Sequence, residues 1–377
     1  MAGRQRPFRR DAVFVAIALA SGLLAALIVG VIIARRDGAA SASGRPEAVR
    51  VAGHSSPGTP LARSDRAGES GVDAEGVHAA HSQTMLQAAL ERGVHEADGL
   101  GGEAAAAVWV SGDAKPLSSG PVGARHRMWS MSKAVVSIAA LEAVNDRPDA
   151  VLSSALADAI RRSDNCAIRR VIVGLQEDSG RDLAGAVAAF EDVLESAGAG
   201  IEAAPQAAVA EEACVRYLER HKGGLSGGDL GLAAQFGTAE WSVLDAIAFT
   251  HALGDGVYGA PGEYLLGLMA KPKESPLEEP APPSAPPLDW GAGAAFPSAW
   301  HPAWKAGWGG SQERPARFLT GQIVVLHVDR TPVAVAAVFL PSVQPTLDNP
   351  GITVAPQALE RIFSAVRLGL QAEHIGR

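Results

Sequence analysis

Three short stretches carry residue types that can do chemistry. The first is Ser130-Met131-Ser132-Lys133. Positions i and i+3 of a helix lie one turn apart on one face, about 5–6 Å between Cβ atoms, so Lys133 can reach the Ser130 hydroxyl. A serine is a weak nucleophile until a base takes its proton. A lysine is such a base only when burial or a neighbouring cation lowers its pKa. A helix N-terminus beneath Ser130 would also favour a developing oxyanion. The chain has only six lysines, and Lys133 alone has a serine three positions earlier. The plain alternative is a capped helix with a surface lysine. Val136 and Ile138 argue against it by crowding the neighbourhood with apolar bulk.

The second stretch, Ser163-Asp164-Asn165, opens a helix 33 residues later. Its plain reading is capping, because Ser, Asp and Asn are the preferred N-cap residues. Its chemical reading makes Ser163 a proton relay and Asn165 a substrate amide contact. The third is Lys305-Ala306-Gly307. A cation beside backbone without side-chain bulk suits a strand edge that docks an anionic substrate. Lys222-Gly223-Gly224 is a rival, but it has no strand pair behind it.

The elements that must position these groups are legible as patterns. Met85, Leu86, Leu90 and Val94 have helical spacing, and Ala104–Val110 is an apolar strand between glycines. Ser130–Val144 reads as a helix with Val135, Ile138, Leu141 and Val144 on one stripe. Further helices are expected over Ser163–Leu175 and Leu183–Leu194. Another, capped by Thr238, should run through Trp241, Leu244, Ile247 and Leu253. Glu263–Lys271 and Ala355–Leu370 complete the helices. Gln322–Val328 and Pro332–Leu340 read as an antiparallel pair joined at Asp329-Arg330-Thr331. Nine prolines in 272–302 exclude regular structure over most of that insert. Strands at both ends, with helices between and after them, imply an α+β domain whose sheet joins the N- and C-terminal strands.

At the N-terminus, 23 residues from 12 to 34 carry no charge. About 20 apolar residues span a bilayer as a helix. Arg4, Arg6, Arg9 and Arg10 precede the span and only Arg35 and Arg36 follow closely, which puts residues 1–11 in the cytoplasm and the remainder outside. The alternative is a cleaved signal at Ala40-Ser41-Ala42. Residues 35–83 read as a flexible linker, and 84–377 as the folded domain. His54, His78 and His81 fall in the linker, and no HExxH or CxxC pattern exists, so neither a metal nor another cofactor is expected.

Composition narrows the classes further. The chain has 377 residues, 47% of them hydrophobic, enough for a sizeable core. A net charge of −8 with no long basic run sets nucleic-acid binding aside. Two cysteines, Cys166 and Cys214, exclude a disulfide-dense scaffold. They leave open one disulfide or a buried thiol at Cys166. Trp129 directly precedes Ser130. Trp290, Trp300, Trp304 and Trp308 cluster near the third stretch, either to stack on a substrate or to pack the insert.

Together and in this order, the three stretches resemble the S-x-x-K, S-D-N and K-T-G set of the serine β-lactamase and penicillin-binding-protein superfamily. The resemblance covers about residues 84–375. It implies a serine β-lactamase/DD-peptidase-like fold, an antiparallel sheet flanked by helices, here behind one transmembrane helix. It implies acyl transfer on a peptidoglycan peptide or β-lactam carbonyl. Ser130 would be the nucleophile, Lys133 the base and Ser163 the relay. Asn165, Lys305, Gly307 and Trp308 would bind substrate, and the N–H groups of Ser130 and Trp308 would form the oxyanion hole.

The departures are specific. The spacing from the first stretch to the second is short for the family, and that from the second to the third is long. Ala306 replaces the usual hydroxyl. Class A β-lactamases carry a deacylating glutamate about 36 residues beyond the second motif. Near there stands Glu202, without the expected asparagine, and then Glu211 and Glu212. These departures sustain a second reading, a catalytically weak or inactive module that binds cell-wall material. The topology is checked directly: alkaline phosphatase fused after residue 80 should be active, and an inactive fusion reverses the orientation.

Overall fold

Period-two alternation sets the sheet. In β1 (Gly102–Val110), Ala105 and Ala107 face one apolar cluster, while Ala104, Ala106 and Val108 face another. β6 (Phe318–Val328) and β7 (Thr331–Pro341) alternate in the same way, with Ile323 and Ala336 on one side and Val324 and Val335 on the other. Strands covered on both faces read as nearly continuous apolar runs, which is why Ala104–Val110 looked uniform rather than alternating. The strand order is β2-β1-β7-β6-β5, with β2 at Leu117–Ser119 and β5 at Ala303–Gly310, and every pairing is antiparallel. β5 is therefore an edge strand. The β6–β7 hairpin turns at Asp329 and Arg330, with φ of +47° and +72°. Two positive φ values are what a two-residue type I′ turn requires.

The computed structural model describes residues 74–178, 183–201, 237–271, 290–310, 318–342 and 351–375, all within the unit Ser70–Arg377. Residues 12–34, read above as an anchor, lie outside the described residues, as do 1–11, 35–73 and 272–289. Among the described residues no helix is long and apolar enough to cross a membrane.

Helices cover both faces of the sheet. On one side lie α1 (Ala74–Asp98), which begins inside the stretch read as linker, and the closing helix α9 (Gly351–Ile375). Leu86, Leu90 and Val94 are buried there as expected, but Met85 is exposed, and Ala89 and Ala97 complete the stripe. On the other side lie α2 (Ser132–Ala143), α3 (Ala150–Arg161), α4 (Asn165–Asp178), α5 (Leu183–Ser196), α6 (Val243–Gly254) and α7 (Gly259–Met269). Helix α2 is buried on all sides from Ser132 to Leu141. Its sequence accordingly carries apolar residues on every face rather than on one stripe, with Ser132, Lys133 and Ser137 as buried polar exceptions.

Thr238 does not cap α6. Residues Glu240–Trp241 form β4, which pairs with β3 (His126–Arg127). The cap is Ser242, in a reciprocal capping box with Asp245. After the insert, buried Gln322 accepts from the Ala292 N–H at 2.9 Å and donates to the Trp290 carbonyl at 3.3 Å, which fixes the short helix α8 (Ala292–Ala295) to β6. Trp290 and Trp304 are buried and Trp300 packs beside them, so these three serve packing; Trp308 is 38% exposed.

The α1–α9 contact depends on absent side chains. A Cβ at Gly93 would lie 2.7 Å from the Ala365 Cβ and 3.1 Å from the Ile362 Cα, whereas one at Gly267 of α7 would meet nothing. Overpacking costs typically ~1–3 kcal/mol, more than the ~0.5–1 kcal/mol that alanine gains over glycine in a helix. Gly93→Ala should therefore lower the unfolding free energy in a urea titration, and Gly267→Ala should raise it.

Candidate active site

The turn that carries Ser130 is held from three directions. Residues Trp129–Met131 form one 3-10 turn before α2, so the helix expected to start at Ser130 starts at Ser132. The Met128 N–H donates to the Ala239 carbonyl at 2.8 Å and the Trp129 N–H to the Gly237 carbonyl at 2.9 Å. Met131 is buried in the core below. Trp129 adopts φ +48°, a conformation that L side chains rarely hold without surrounding support. The Arg127 guanidinium lies 5.9 Å over its ring. The Ser132 hydroxyl donates to the Trp129 carbonyl at 2.7 Å, closing the turn.

β5 lies directly against this turn. A Cβ on Gly307 would stand 2.7 Å from the Met128 carbonyl oxygen and 2.9 Å from the Met131 nitrogen. A Cβ on Gly309 would stand 2.5 Å from the Trp129 indole. Lys305, Gly307 and Gly309 share one face of the strand by alternation. The two glycines bring backbone against the Ser130 turn while the lysine reaches past it. The contribution of Gly309 was missed in the sequence; its signal was the two-residue spacing from Gly307. Gly321, paired with Gly307, continues the same face against Met131 Cε.

The second stretch divides three tasks. Ser163 follows the end of α3 with φ +56°. Asp164 caps α4, accepting from the N–H groups of Cys166 and Ala167 at 2.7 and 2.9 Å. The capping falls to Asp164 alone, while Ser163 and Asn165 are turned to Lys133. Asn165 turns its Oδ1 to the Lys133 amine at 2.7 Å. Cys166 is disulfide-bonded rather than a free thiol. The only other cysteine, Cys214, lies outside the described residues, together with Lys222, Glu202, Glu211 and Glu212.

The three stretches converge on Lys133, which is fully buried. Its Nζ lies 2.5 Å from the Ser163 carbonyl oxygen, 2.7 Å from Asn165 Oδ1, 3.1 Å from Ser130 Oγ and 3.2 Å from Ser163 Oγ. Burial pushes its pKa well below the usual lysine value; the charge of Lys305 pushes the same way and Asp164 opposes both. A neutral amine has two N–H groups and one lone pair. Carbonyl oxygens only accept, so the two shortest contacts take the two N–H groups. The lone pair then faces the hydroxyls.

Lys305 Nζ donates to Ser163 Oγ at 2.9 Å and to the Ala306 carbonyl at 2.9 Å. Ser163 Oγ therefore links the two lysines. Burial lowers the Lys305 pKa to about 7. Trp308, two residues past Ala306 on the same edge strand, is exposed enough to meet a ligand. Of the residues singled out from the sequence, Ser130, Lys133, Ser163, Asn165 and Lys305 form one hydrogen-bonded cluster. Gly307 and Trp308 lie on the strand beside it.

No family model and no curated protein sequence matches the chain. Solved structures do, at low identity. A β-lactamase from Sphaerobacter thermophilus is 16% identical, with 76% of this chain and 97% of that chain covered and a TM-score of 0.49. For a class A β-lactamase from Mycobacterium abscessus the values are 16%, 74%, 98% and 0.47. For PBP-A, solved as an acyl-enzyme complex with penicillin G, they are 15%, 75%, 96% and 0.47. The chain is similar to these solved structures over about three quarters of its length.

Lys305 makes stability depend on pH. Its pKa falls from 10.5 to about 7 on folding, so between those values the unfolded chain binds more protons and stability rises with pH. Below that window the cost of burying the charge is fully present; above it the cost is gone. Lys133, lowered further, acts with the same sign. Lys305→Met should therefore raise the denaturant midpoint at pH 6.5, and the advantage should shrink steadily towards pH 10. An advantage that does not change with pH would mean that Lys305 is not buried with its charge.

Proposed function

We propose that the chain is a membrane-anchored, extracytoplasmic serine acyl-enzyme acting on peptidoglycan peptides or β-lactams. The observation that carries this reading is the buried Lys133 amine, held 3.1 Å from Ser130 Oγ while its N–H groups are taken by two carbonyl oxygens. That arrangement leaves a lone pair where a hydroxyl proton has to go.

The substrate carbonyl enters between the Ser130 turn and the edge of β5. Ser130 Oγ attacks the carbonyl carbon as its proton passes to Lys133 Nζ. The carbonyl π electrons move to oxygen, and the oxyanion is met by the N–H groups of Ser130 and Trp308. Collapse reforms the carbonyl and breaks the bond to the leaving nitrogen. The proton returns from Lys133 through Ser163 Oγ to that nitrogen, the hydroxyl giving one proton as it takes another. Asn165 holds Lys133 and presents its amide to the substrate backbone, and Lys305 keeps Ser163 in place. Water then cleaves the acyl ester. Residues 12–34 tether the enzyme to the cytoplasmic membrane, with the N-terminus inside.

Acylation is read by intact-mass spectrometry of the protein after treatment with penicillin-type probes. Ser130→Ala should abolish the mass increment. Lys133→Ala keeps the hydroxyl but loses the base, so labelling should slow by about 10²–10⁴-fold. Because no deacylating glutamate is evident in the sequence, the wild-type adduct should persist. An increment unchanged in Ser130→Ala would refute the assignment. No increment in the wild type with several probes would favour the non-acylating cell-wall module, the reading that Ala306 supports.

A further inference from the structure

The Ser130 turn hangs on a short ladder whose anchor lies away from the reacting groups. His126 pairs with Trp241 and Arg127 with Glu240, and the Met128 and Trp129 N–H groups donate to the Ala239 and Gly237 carbonyls. The ladder runs into Ser242, the cap of α6. Asp245 completes that capping box with one oxygen. Its Oδ2 accepts from the Ser242 N–H at 2.8 Å and from the Ser242 hydroxyl at 2.6 Å. Capping needs nothing more. Yet Oδ1 accepts from the Gly200 N–H at 2.9 Å, 45 residues away in the chain. Gly200 follows α5, which packs against α2. One carboxylate thus closes a ring of segments. The ring runs from α2 through the Ser130 turn and β3–β4 to Ser242, and from Gly200 through α5 back to α2.

Arg125 is the weaker member of this junction. Its Nη1 stands 3.4 Å from Asp245 Oδ2 and 3.4 Å from each of the Gly200 and Glu240 carbonyl oxygens, and its side chain is 35% exposed. An ion pair that open to solvent contributes little. Hydrogen bonds from N–H groups to a carboxylate are shorter and stronger than neutral ones. The Asp245 carboxylate itself therefore carries the junction. Ser130 brings its hydroxyl and its backbone N–H to the reaction, and both move with the turn. About 1 Å of misplacement caused by a distant change can cost ~10²-fold in rate. We propose that Asp245 is a positioning residue for Ser130, holding the turn in place through β4 and α5 without touching the substrate. That the turn carries a nucleophile rests on the acyl-transfer reading; the anchoring of the turn does not.

The test separates positioning from stability. Acylation of the full chain is followed at increasing concentrations of a penicillin-type probe, which gives an apparent affinity and a limiting rate. Asp245→Ala should lower the limiting rate about tenfold and leave the apparent affinity within about twofold. Asp245→Asn keeps one accepting oxygen and should fall between, which serves if the alanine variant does not fold. Ser242→Gly removes the capping hydroxyl but keeps the N–H that Oδ2 holds, so its limiting rate should match the wild type. Gly93→Ala, destabilising on the other side of the sheet, should match it too. A folded Asp245→Ala that acylates at the wild-type rate would overturn the proposal. So would equal slowing in Ser242→Gly or Gly93→Ala, which would leave capping or stability alone as the cause. Amide hydrogen exchange gives a second arm. In Asp245→Ala the Met128 and Trp129 amides should lose about tenfold more protection than the Val324 amide of β6, and a uniform loss would overturn the anchoring. If no probe acylates the wild type, the acyl-transfer reading fails while the exchange arm still decides what Asp245 holds.

Discussion

Everything in the site follows from placing one lysine amine where water cannot reach it. A charged ammonium taken out of water carries a penalty of several kcal/mol unless fully compensated, and most buried lysines respond by releasing the proton. Around Lys133 the compensation is deliberately incomplete. Four oxygens surround Nζ, but all are formally neutral, and the nearest charge that influences it most is another lysine. Asp164 pulls the other way, yet its carboxylate is spent on the first N–H groups of α4. The same carboxylate thus starts the helix that presents Asn165 and keeps Lys133 from being stripped of its proton without opposition.

Holding that amine between three chain segments sets demands on the backbone. Two non-glycine residues, Trp129 and Ser163, adopt positive φ, one beside Ser130 and the other in contact with both lysines. Such conformations cost about 1–3 kcal/mol each and persist only when the surroundings over-determine them. The surroundings here are rigid. α2 is buried along nearly its whole length, Met128 and Met131 are buried on either side of Ser130, and β5 presses Gly307 and Gly309 into the turn. The edge strand cannot retreat either, because β6 pairs with it along its whole length. The glycines of β5 are therefore structural for the opposite reason to most loop glycines: they allow close approach rather than unusual dihedrals.

The sequence made the site more legible than its frame. Serine and lysine three apart, a capping triplet and a lysine before glycine are local patterns, and local patterns survive translation into structure. Strands β6 and β7 were legible as apolar runs rich in β-branched residues, and the alanine-rich β1 as a short apolar run between glycines. What was hidden depended on partners distant in the chain. Trp241 looked helical until β3 claimed it as a strand residue, and the cap moved to Ser242, whose Ser-x-x-Asp spacing was readable. The first two turns and more of α1 have little apolar patterning, so nothing local distinguished residues 74–83 from a linker. Gly309 carries no motif; only the indole of Trp129 gives it meaning.

The two lysines also divide the proton traffic between them. Ser163 Oγ is 3.2 Å from one amine and 2.9 Å from the other. Two ammonium groups sharing one oxygen in a buried site repel, so protonating either makes the other harder to protonate, and the pair titrates as a unit. Lys305 is fastened to the edge strand through the Ala306 carbonyl, whereas Lys133 is fastened to the helices through Ser163 and Asn165. In the acyl transfer proposed above, a proton taken from Ser130 raises the charge on the helical side, which weakens the hold of Lys305 on its own proton and makes the shared hydroxyl a better donor. On that proposal Ser163 is most acidic at the moment the leaving nitrogen needs a proton. That timing comes from electrostatic coupling across one hydroxyl and requires no movement of the chain.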